Sequence, residues 1–211
     1  MSSPLVVQQI PGGPLETNAF LVIDPPTSSA LLIDAPPDTH DAVVAAVQAA
    51  GASVDTIVLT HTHWDHIVDT APLRSTLGAR VLAHPRADSV LENPADIGIP
   101  IEPVTPDGHL DDGDTLALGE RTFVVYHLPG HDPSHIALYS ADDGIMLSGD
   151  VLFPGGHGRT DIPGADQDTM LQSLARLLEL PDHVTVYPGH GKSTTIGDER
   201  SWMVAMTQDI S

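Results

Sequence analysis

A chain of 211 residues, 41% hydrophobic and 18% charged, is long enough to bury a core of two or three layers and too apolar for a disordered polypeptide. Twenty-nine acidic residues against eight basic ones give a formal charge of −21, a surface that repels phosphate backbones and anionic lipids and so argues against nucleic acid or membrane as partners. Cysteine is absent, which excludes disulfides, thiolate nucleophiles and cysteine-held zinc, and leaves His, Asp and Glu to hold any metal. No apolar run is long enough to span a bilayer. The start, MSSPLVVQQIPGG, lacks the basic stretch and apolar core of a signal peptide, so a cytoplasmic location is expected.

Strand-like runs open the chain at 5–10, 19–23 and 30–34, bounded by Pro and Gly. Ala and Val at helical spacing predict a helix over 39–51, closed by Gly51. A β-branched run at 55–60 reads as a buried strand and leads into a crowded segment, THTHWDH. A helix over 71–78, a strand over 80–84 and a short helix near 85–93 follow. The second half repeats the grammar with strands at 114–118, 121–128, 136–140 and 144–149. A helix over 165–180 then carries Met170, Leu174, Leu177 and Leu178 on one stripe, ahead of a strand at 183–188 and a helical stretch after Gly197. No repeat or linker interrupts the chain, so residues 1–211 are expected to form one domain. Two groups of strands, each backed by helices, predict an α/β fold in which two sheets pack face to face with helices outside.

The chemistry-bearing residues share one setting. His61, His63, Asp65 and His66 follow the apolar run 55–60, His131 follows FVVYHLPG, Asp150 follows GIMLSG, and His190 follows VTVYPG. Each lies just beyond a strand, and strand ends on one edge bring loops together. Singly, His131 and His190 read as hydrogen-bonded side chains and Asp150 as a turn cap; their common position beside a dense cluster points to a site. His61 and His63, two apart, can aim two imidazoles at one ion, while Asp65 and His66 begin a new turn and can face a second. Zinc takes such ligands at about 2.0–2.2 Å, and two ions roughly 3.5–4 Å apart can share a carboxylate, for which Asp150 is the natural bridge. The other seven histidines read as structural or surface groups, with His135 and His157 as candidate pocket neighbours.

These residues resemble the H-x-H-x-D-H signature of the metallo-β-lactamase fold superfamily, followed by His131, Asp150 and His190 in that superfamily's order. The resemblance runs from ETNAFLV to GKSTTIGDER and implies a four-layer αββα sandwich with the metals at one edge of the two sheets. By position it implies a first metal on His61, His63 and His131, a second on Asp65, His66 and His190, and Asp150 between them. Two zinc ions are the expected cofactors, with iron or manganese as alternatives.

LSGDVLFPGGHGRTDIPGAD and VYPGHGKSTTIGDER are most similar to single-domain glyoxalase II-like thioester hydrolases. That likeness implies hydrolysis of a small-molecule thioester by a hydroxide shared between the ions, with Asp65 and Asp150 as the catalytic carboxylates, Asp65 to accept or relay a proton. The alternative is the persulfide dioxygenases, which resemble the chain in the same loop and in GRTD (158–161) and hold one iron, by position on His61, His131 and Asp150. A lactonase, a β-lactamase and a non-catalytic metal-binding module rank lower, and class-defining β-lactamases usually carry Cys or Ser where this chain has Asp150. Two departures stand out: IVDT (67–70) replaces the usual Gly-Gly, and DPSH (132–135) follows His131. Only 21 residues follow His190, too few for a helical glutathione-binding domain. Lys192, the single lysine, and Arg159 are candidate substrate contacts, each with an ordinary alternative: a solvated side chain for Lys192 and an ion pair with Asp161 for Arg159.

Overall fold

In Thr17–Asp24 every residue is buried, and alternate side chains serve different cores. Ala19, Leu21 and Ile23 face one way and Phe20 and Val22 the other, the period of two that a strand covered on both faces requires. The computed structural model, which describes residues 3–208, extends that logic to two six-stranded sheets. The first runs β1 (Val6–Gly12), β2 (Thr17–Asp24), β3 (Ser29–Ile33), β4 (Ser53–Val58), β5 (Arg80–Ala83) and β6 (Gly108–His109). Its first three strands are antiparallel and the rest join in parallel. In the second, β7 (Thr115–Leu118), β8 (Arg121–His127), β9 (Ile136–Ser140) and β10 (Ile145–Gly149) alternate in direction. Then β11 (Thr185–Pro188) lies parallel to β10, and β12 (Thr194–Thr195) closes the edge.

Three apolar layers make the expected αββα sandwich. Between the sheets, Phe20, Val22, Leu31 and Ile33 of the first meet Phe123, Val125, Leu138 and Leu147 of the second. Phe123 is fully buried there, a burial that contributes about 3 kcal/mol. Outside the first sheet lie α1 (His40–Ala50), the single turn α2 (Trp64–Ile67), α3 (Thr70–Leu77) and α4 (Asp88–Glu92), with Val43, Val47, Leu73 and Leu91 turned inward. Outside the second, α5 (Gln167–Leu177) and α6 (Ile196–Thr207) contribute Met170, Leu174, Leu177 and Met203. No helix among the described residues is long and apolar enough to cross a membrane.

Several boundaries differ from the sequence reading for local reasons. The helix expected over 165–180 begins at Gln167 because Asp166, in extended conformation, caps it by accepting from Thr169 N–H at 2.8 Å. It ends at Leu177, after which tighter i→i+3 bonds carry Glu179 and Leu180. The strand run at 55–60 leaves the ladder at Val58, and the run at 183–188 joins it only at Thr185. The IVDT departure caps α1: Asp69 Oδ2 accepts from the backbone N–H groups of Thr39 and His40 at 2.8 and 2.9 Å. In DPSH, Asp132 ties two loops together, accepting from Thr62 Oγ1 at 2.7 Å and from Ser134 N–H at 2.6 Å.

β8, β10 and β11 all point the same way, because β9 is antiparallel to both β8 and β10. Their C-terminal ends therefore open on one edge. Asn18 brings the first sheet to that edge, its N–H donating to Gly189 O at 2.7 Å and its side-chain amide to Pro188 O at 2.9 Å. Ile136 N–H adds a second tie, to Thr60 O at 2.8 Å.

Candidate metal centre

The site is built outward from Asp34, which follows β3 at φ 60°. Asp tolerates this left-handed conformation better than most residues, and here its carboxylate is fully engaged. It accepts from Thr60 N–H at 2.7 Å, from the Thr60 hydroxyl at 2.8 Å and from His66 Nδ1–H at 2.8 Å. Because the Thr60 hydroxyl donates to Asp34, its oxygen is left to accept from His61 Nδ1–H at 3.0 Å. His131 Nδ1–H donates to Arg159 O at 2.7 Å, and His190 Nδ1–H to Leu15 O at 3.1 Å. Four imidazoles thus engage Nδ1 outward and aim Nε2 inward, the orientation that metal-ligating histidines adopt.

Those inward atoms converge. His61, His63 and His131 place ligand atoms within 4.8 Å of one another, and so do His61, His66 and Asp150, and Asp65, His66 and His190. Asp150 faces several of these groups: Oδ1 lies 3.5 Å from His66 Nε2, while Oδ2 lies 3.5 Å from His131 Nε2 and 3.4 Å from His190 Nε2. Asp65 Oδ2, 3.3 Å from His190 Nε2, accepts from the Thr17 hydroxyl at 2.7 Å. His61 Nε2, His66 Nε2, His131 Nε2 and Asp150 Oδ1 are buried with no hydrogen-bond partner, which would cost roughly 1–3 kcal/mol each if nothing else used them. Buried lone pairs aimed at a common centre fit metal ions of the kind that imidazole and carboxylate bind. Asp34→Ala, by freeing the His66 ring, is expected to weaken metal affinity about 10–100-fold, measured by competition with a chelating dye; unchanged affinity refutes the orienting role.

Burial and paired charges divide the ionisable groups. Burial, helped by His66, holds His61 well below the ordinary 6.5, and burial with His131 lowers His63. Burial also opposes charge on His66 and His190, but facing carboxylates outweigh it: Asp150 and Asp34 hold His66 well above the usual value, and Asp150 and Asp65 raise His190 to about 10. In return, against their own burial, Asp65 falls to about 2 and Asp150 well below the carboxylate range. His135, whose Nε2 accepts from Asp150 N–H at 2.9 Å, is lowered to about 3 by burial and by His131. For the metal-stripped protein the signs oppose. His135 contributes stability that is full above pH 6.5 and fades as pH falls toward 3, and His61 acts in the same direction; His190 contributes stability that is full below 6.5 and fades as pH rises through about 10, and His66 acts in the same direction. Melting of chelator-treated protein is expected to be highest near pH 6.5 and to fall on both sides. A flat or monotonic profile between pH 4 and 10 contradicts this balance.

The donors open into a cavity of 480 Å³ walled on its apolar side by Leu15 and Phe153 and on its polar side by His157 and Arg159. Arg159 also makes a two-point ion pair with Asp161, at 2.8 and 3.1 Å, on the exposed rim, so the structural partner foreseen for it and a place on the cavity wall are both present. Lys192 is exposed and does not line the cavity. His135 stands behind Asp150, and His157 lies on the wall. Away from the centre, His84 and His127 stack at 4.1 Å; His84 Nδ1 accepts from Arg86 N–H, which leaves the Nε2 proton facing Asp111 and makes the pair structural.

A family model described as Metallo-beta-lactamase superfamily matches residues 12–190. The chain belongs to the metallo-beta-lactamase superfamily. It is 32% identical over 202 residues to "Hydroxyacylglutathione hydrolase GloC" of Haemophilus influenzae, covering 92% of this chain and 94% of that protein. Among solved structures, "BLEG-1 B3 metallo-beta-lactamase" aligns with a TM-score of 0.86 at 34% identity, over 96% of this chain and all of that one. "TTHA1623 in a di-iron-bound form" aligns with a TM-score of 0.80 at 37% identity, over 92% and 96%. Membership of the metallo-beta-lactamase superfamily makes the chain a metal-binding, hydrolase-type enzyme acting on small molecules.

Within this metallo-beta-lactamase superfamily framework, sequence reasoning missed the supporting groups. Asp34 also follows a strand, as Asp150 does, and that placement was the available signal. Thr17 and Thr60 carried none, since a threonine in or at the end of an apolar β-branched run is ordinary. Glu199 is a further omission: buried on α6, it accepts from Gly155 N–H and Trp202 Nε1–H at 2.6 Å each and so holds the loop that carries Phe153 and His157.

Proposed function

We propose that the protein is a dinuclear metal-dependent hydrolase of small-molecule thioesters. The observation that carries this reading is the Asp150 carboxylate, one oxygen of which faces His66 while the other faces both His131 and His190. On this reading His61, His63 and His131 hold one ion, Asp65, His66 and His190 hold a second, and Asp150 serves both. Ions bound there supply Lewis acidity toward a carbonyl oxygen and bring the pKa of water to about 7, which provides a nucleophile in a chain that has no cysteine.

The remaining work falls to the chain's own residues. Asp65, fixed at Oδ2 by the Thr17 hydroxyl and kept ionised, would orient the nucleophile and relay its proton. Asp34, Thr60, Arg159 O and Leu15 O hold the imidazoles in one orientation, so the site is organised before substrate arrives. Leu15 and Phe153 give the cavity an apolar wall. The thioester preference is supported by 32% identity, over nearly the whole of both chains, to a protein whose name denotes hydrolysis of a hydroxyacylglutathione.

A mononuclear iron dioxygenase would use only His61, His131 and Asp150 and shares the same histidine-rich loop, so the donor set fits both readings, and the hydrolase is preferred on the likeness to the hydroxyacylglutathione hydrolase over nearly the whole of both chains. Zinc is the proposed metal, with iron as the alternative that the di-iron relative brings forward. The test is metal analysis of the purified protein followed by a panel of acyl thioesters, a lactone and a β-lactam, with thiol release and oxygen uptake recorded together. Two ions per chain and thiol release without oxygen uptake are expected. Oxygen uptake with a persulfide and no thiol release from any thioester overturns the proposal.

A further inference from the structure

Behind the metal centre lies a second hollow of 160 Å³, walled by Trp64, Ile67, Val90, Pro94, Ile97 and Ile101. His63 lines both this hollow and the larger cavity, so the two are neighbours across one imidazole. The turn α2 serves both sides: Asp65 and His66 face the metal centre, and Trp64 and Ile67 face the hollow. Its outer wall comes from α4 and the segment that follows. No Asp, Glu, Lys or Arg lines it, in a chain whose charge is −21.

Two of its walls are costly as they stand. Val90 and Ile97 are 39% and 47% exposed, although each square ångström of apolar surface left in water forgoes about 25 cal/mol. Concave apolar surface beside a reaction centre is the ordinary form of a substrate subsite. The two spaces differ in chemistry. The larger cavity carries Arg159 and His157 and suits a polar thiol carrier; the smaller is uncharged and suits hydrocarbon.

We propose that this hollow binds the acyl chain of the substrate, an unbranched apolar chain whose carbonyl lies at the metal centre. At roughly 30 Å³ for a water-sized group, the space houses about five such groups, a chain of about four to six carbons. This inference rests on the thioester-hydrolase reading for its carbonyl, but the apolar site can be probed without turnover.

The experiment has two arms on the metal-loaded protein. In the first, hexanamide and acetamide are titrated while tryptophan fluorescence is followed, with Trp64→Phe to assign the signal. A saturable response to hexanamide at one-tenth or less of the acetamide concentration is expected, absent in Trp64→Phe and weakened at least tenfold in Ile97→Asp. In the second, kcat/KM is compared for hexanoyl and acetyl thioesters of one thiol; a preference of tenfold or more for hexanoyl is expected, and Ile97→Asp should reduce it to near parity. Val90→Asn, on a different element, provides a second variant with the same expected direction. If thioesters are cleaved with no chain-length preference and hexanamide gives no response, the subsite falls and the hydrolase reading stands. If hexanamide binds as expected but no thioester is cleaved, the apolar site stands and the hydrolase reading falls. A dimer in sedimentation that Ile97→Asp dissolves assigns the hollow to self-association and overturns the proposal.

Discussion

Asp150→Asn is expected to lower bound metal from two ions to one or fewer per chain and to reduce turnover on the order of 1000-fold, about 4 kcal/mol of transition-state stabilisation. The substitution keeps the shape of the side chain and removes only its charge and one acceptor. The native carboxylate is buried yet held ionised: its own desolvation opposes the charge, but His66 and the His190 hydrogen bond more than offset it. An amide in its place offers two N–H donors to a space bounded by imidazole nitrogens at 3.4–3.5 Å, where only an acceptor is useful. Circular dichroism should show the fold retained, since Asp150 lies beyond β10 and its backbone N–H, which donates to His135 Nε2, is left in place by the change. Full turnover with unchanged metal content would remove Asp150 from the centre of the mechanism.

Gly189→Ala is the second large effect, and it comes from a residue with no chemistry of its own. A Cβ at position 189 would lie well inside contact distance of Asp150 Oδ1 and 2.6 Å from His66 Cε1. The backbone cannot retreat, because Gly189 N–H donates to Gly149 O at 2.9 Å and its carbonyl accepts from Asn18 N–H at 2.7 Å. One methyl group therefore has to push the carboxylate, the imidazole or both. Misplacement of about 1 Å costs on the order of 100-fold in turnover, and overpacking costs about 1–3 kcal/mol in stability. Gly156→Ala is the control: an added Cβ there meets nothing within 4 Å, and melting should shift little. Equal activity of Gly189→Ala and wild type in a metal-replete assay would show that the donor cluster tolerates displacement.

The seven donors were legible because their spacing and strand-end placement repeat, and both are properties of sequence. Gly51 and Gly78 could likewise be read as helix ends, and both adopt left-handed conformations at the C-caps of α1 and α3. What stayed hidden is pairwise. Nothing near Asp34 says that it will orient His66 from 32 residues away, and nothing near Glu199 says that it will anchor Gly155 across 44. β6 and β12, two residues each, are too short to carry a period of two. IVDT and DPSH stood out only as departures; that Asp69 stabilises a helix end and Asp132 a loop junction is something only contacts distant in sequence reveal. Lys192 drew notice as the single lysine, but rarity says nothing about direction, and the residue is exposed.

The clasp between Asn18 and the loop that carries His190 joins residues 170 positions apart. During synthesis, therefore, a nascent polypeptide has no complete centre until the segment through His190 has left the ribosome, and the strands before it must wait for that closing segment. Such long-range closure slows folding and lengthens the time that half-built sheets stand open to aggregation. A metal ion captured early by His61 and its neighbours would act as a template for that final docking, so the availability of the ion during growth is expected to govern how much soluble protein a cell accumulates.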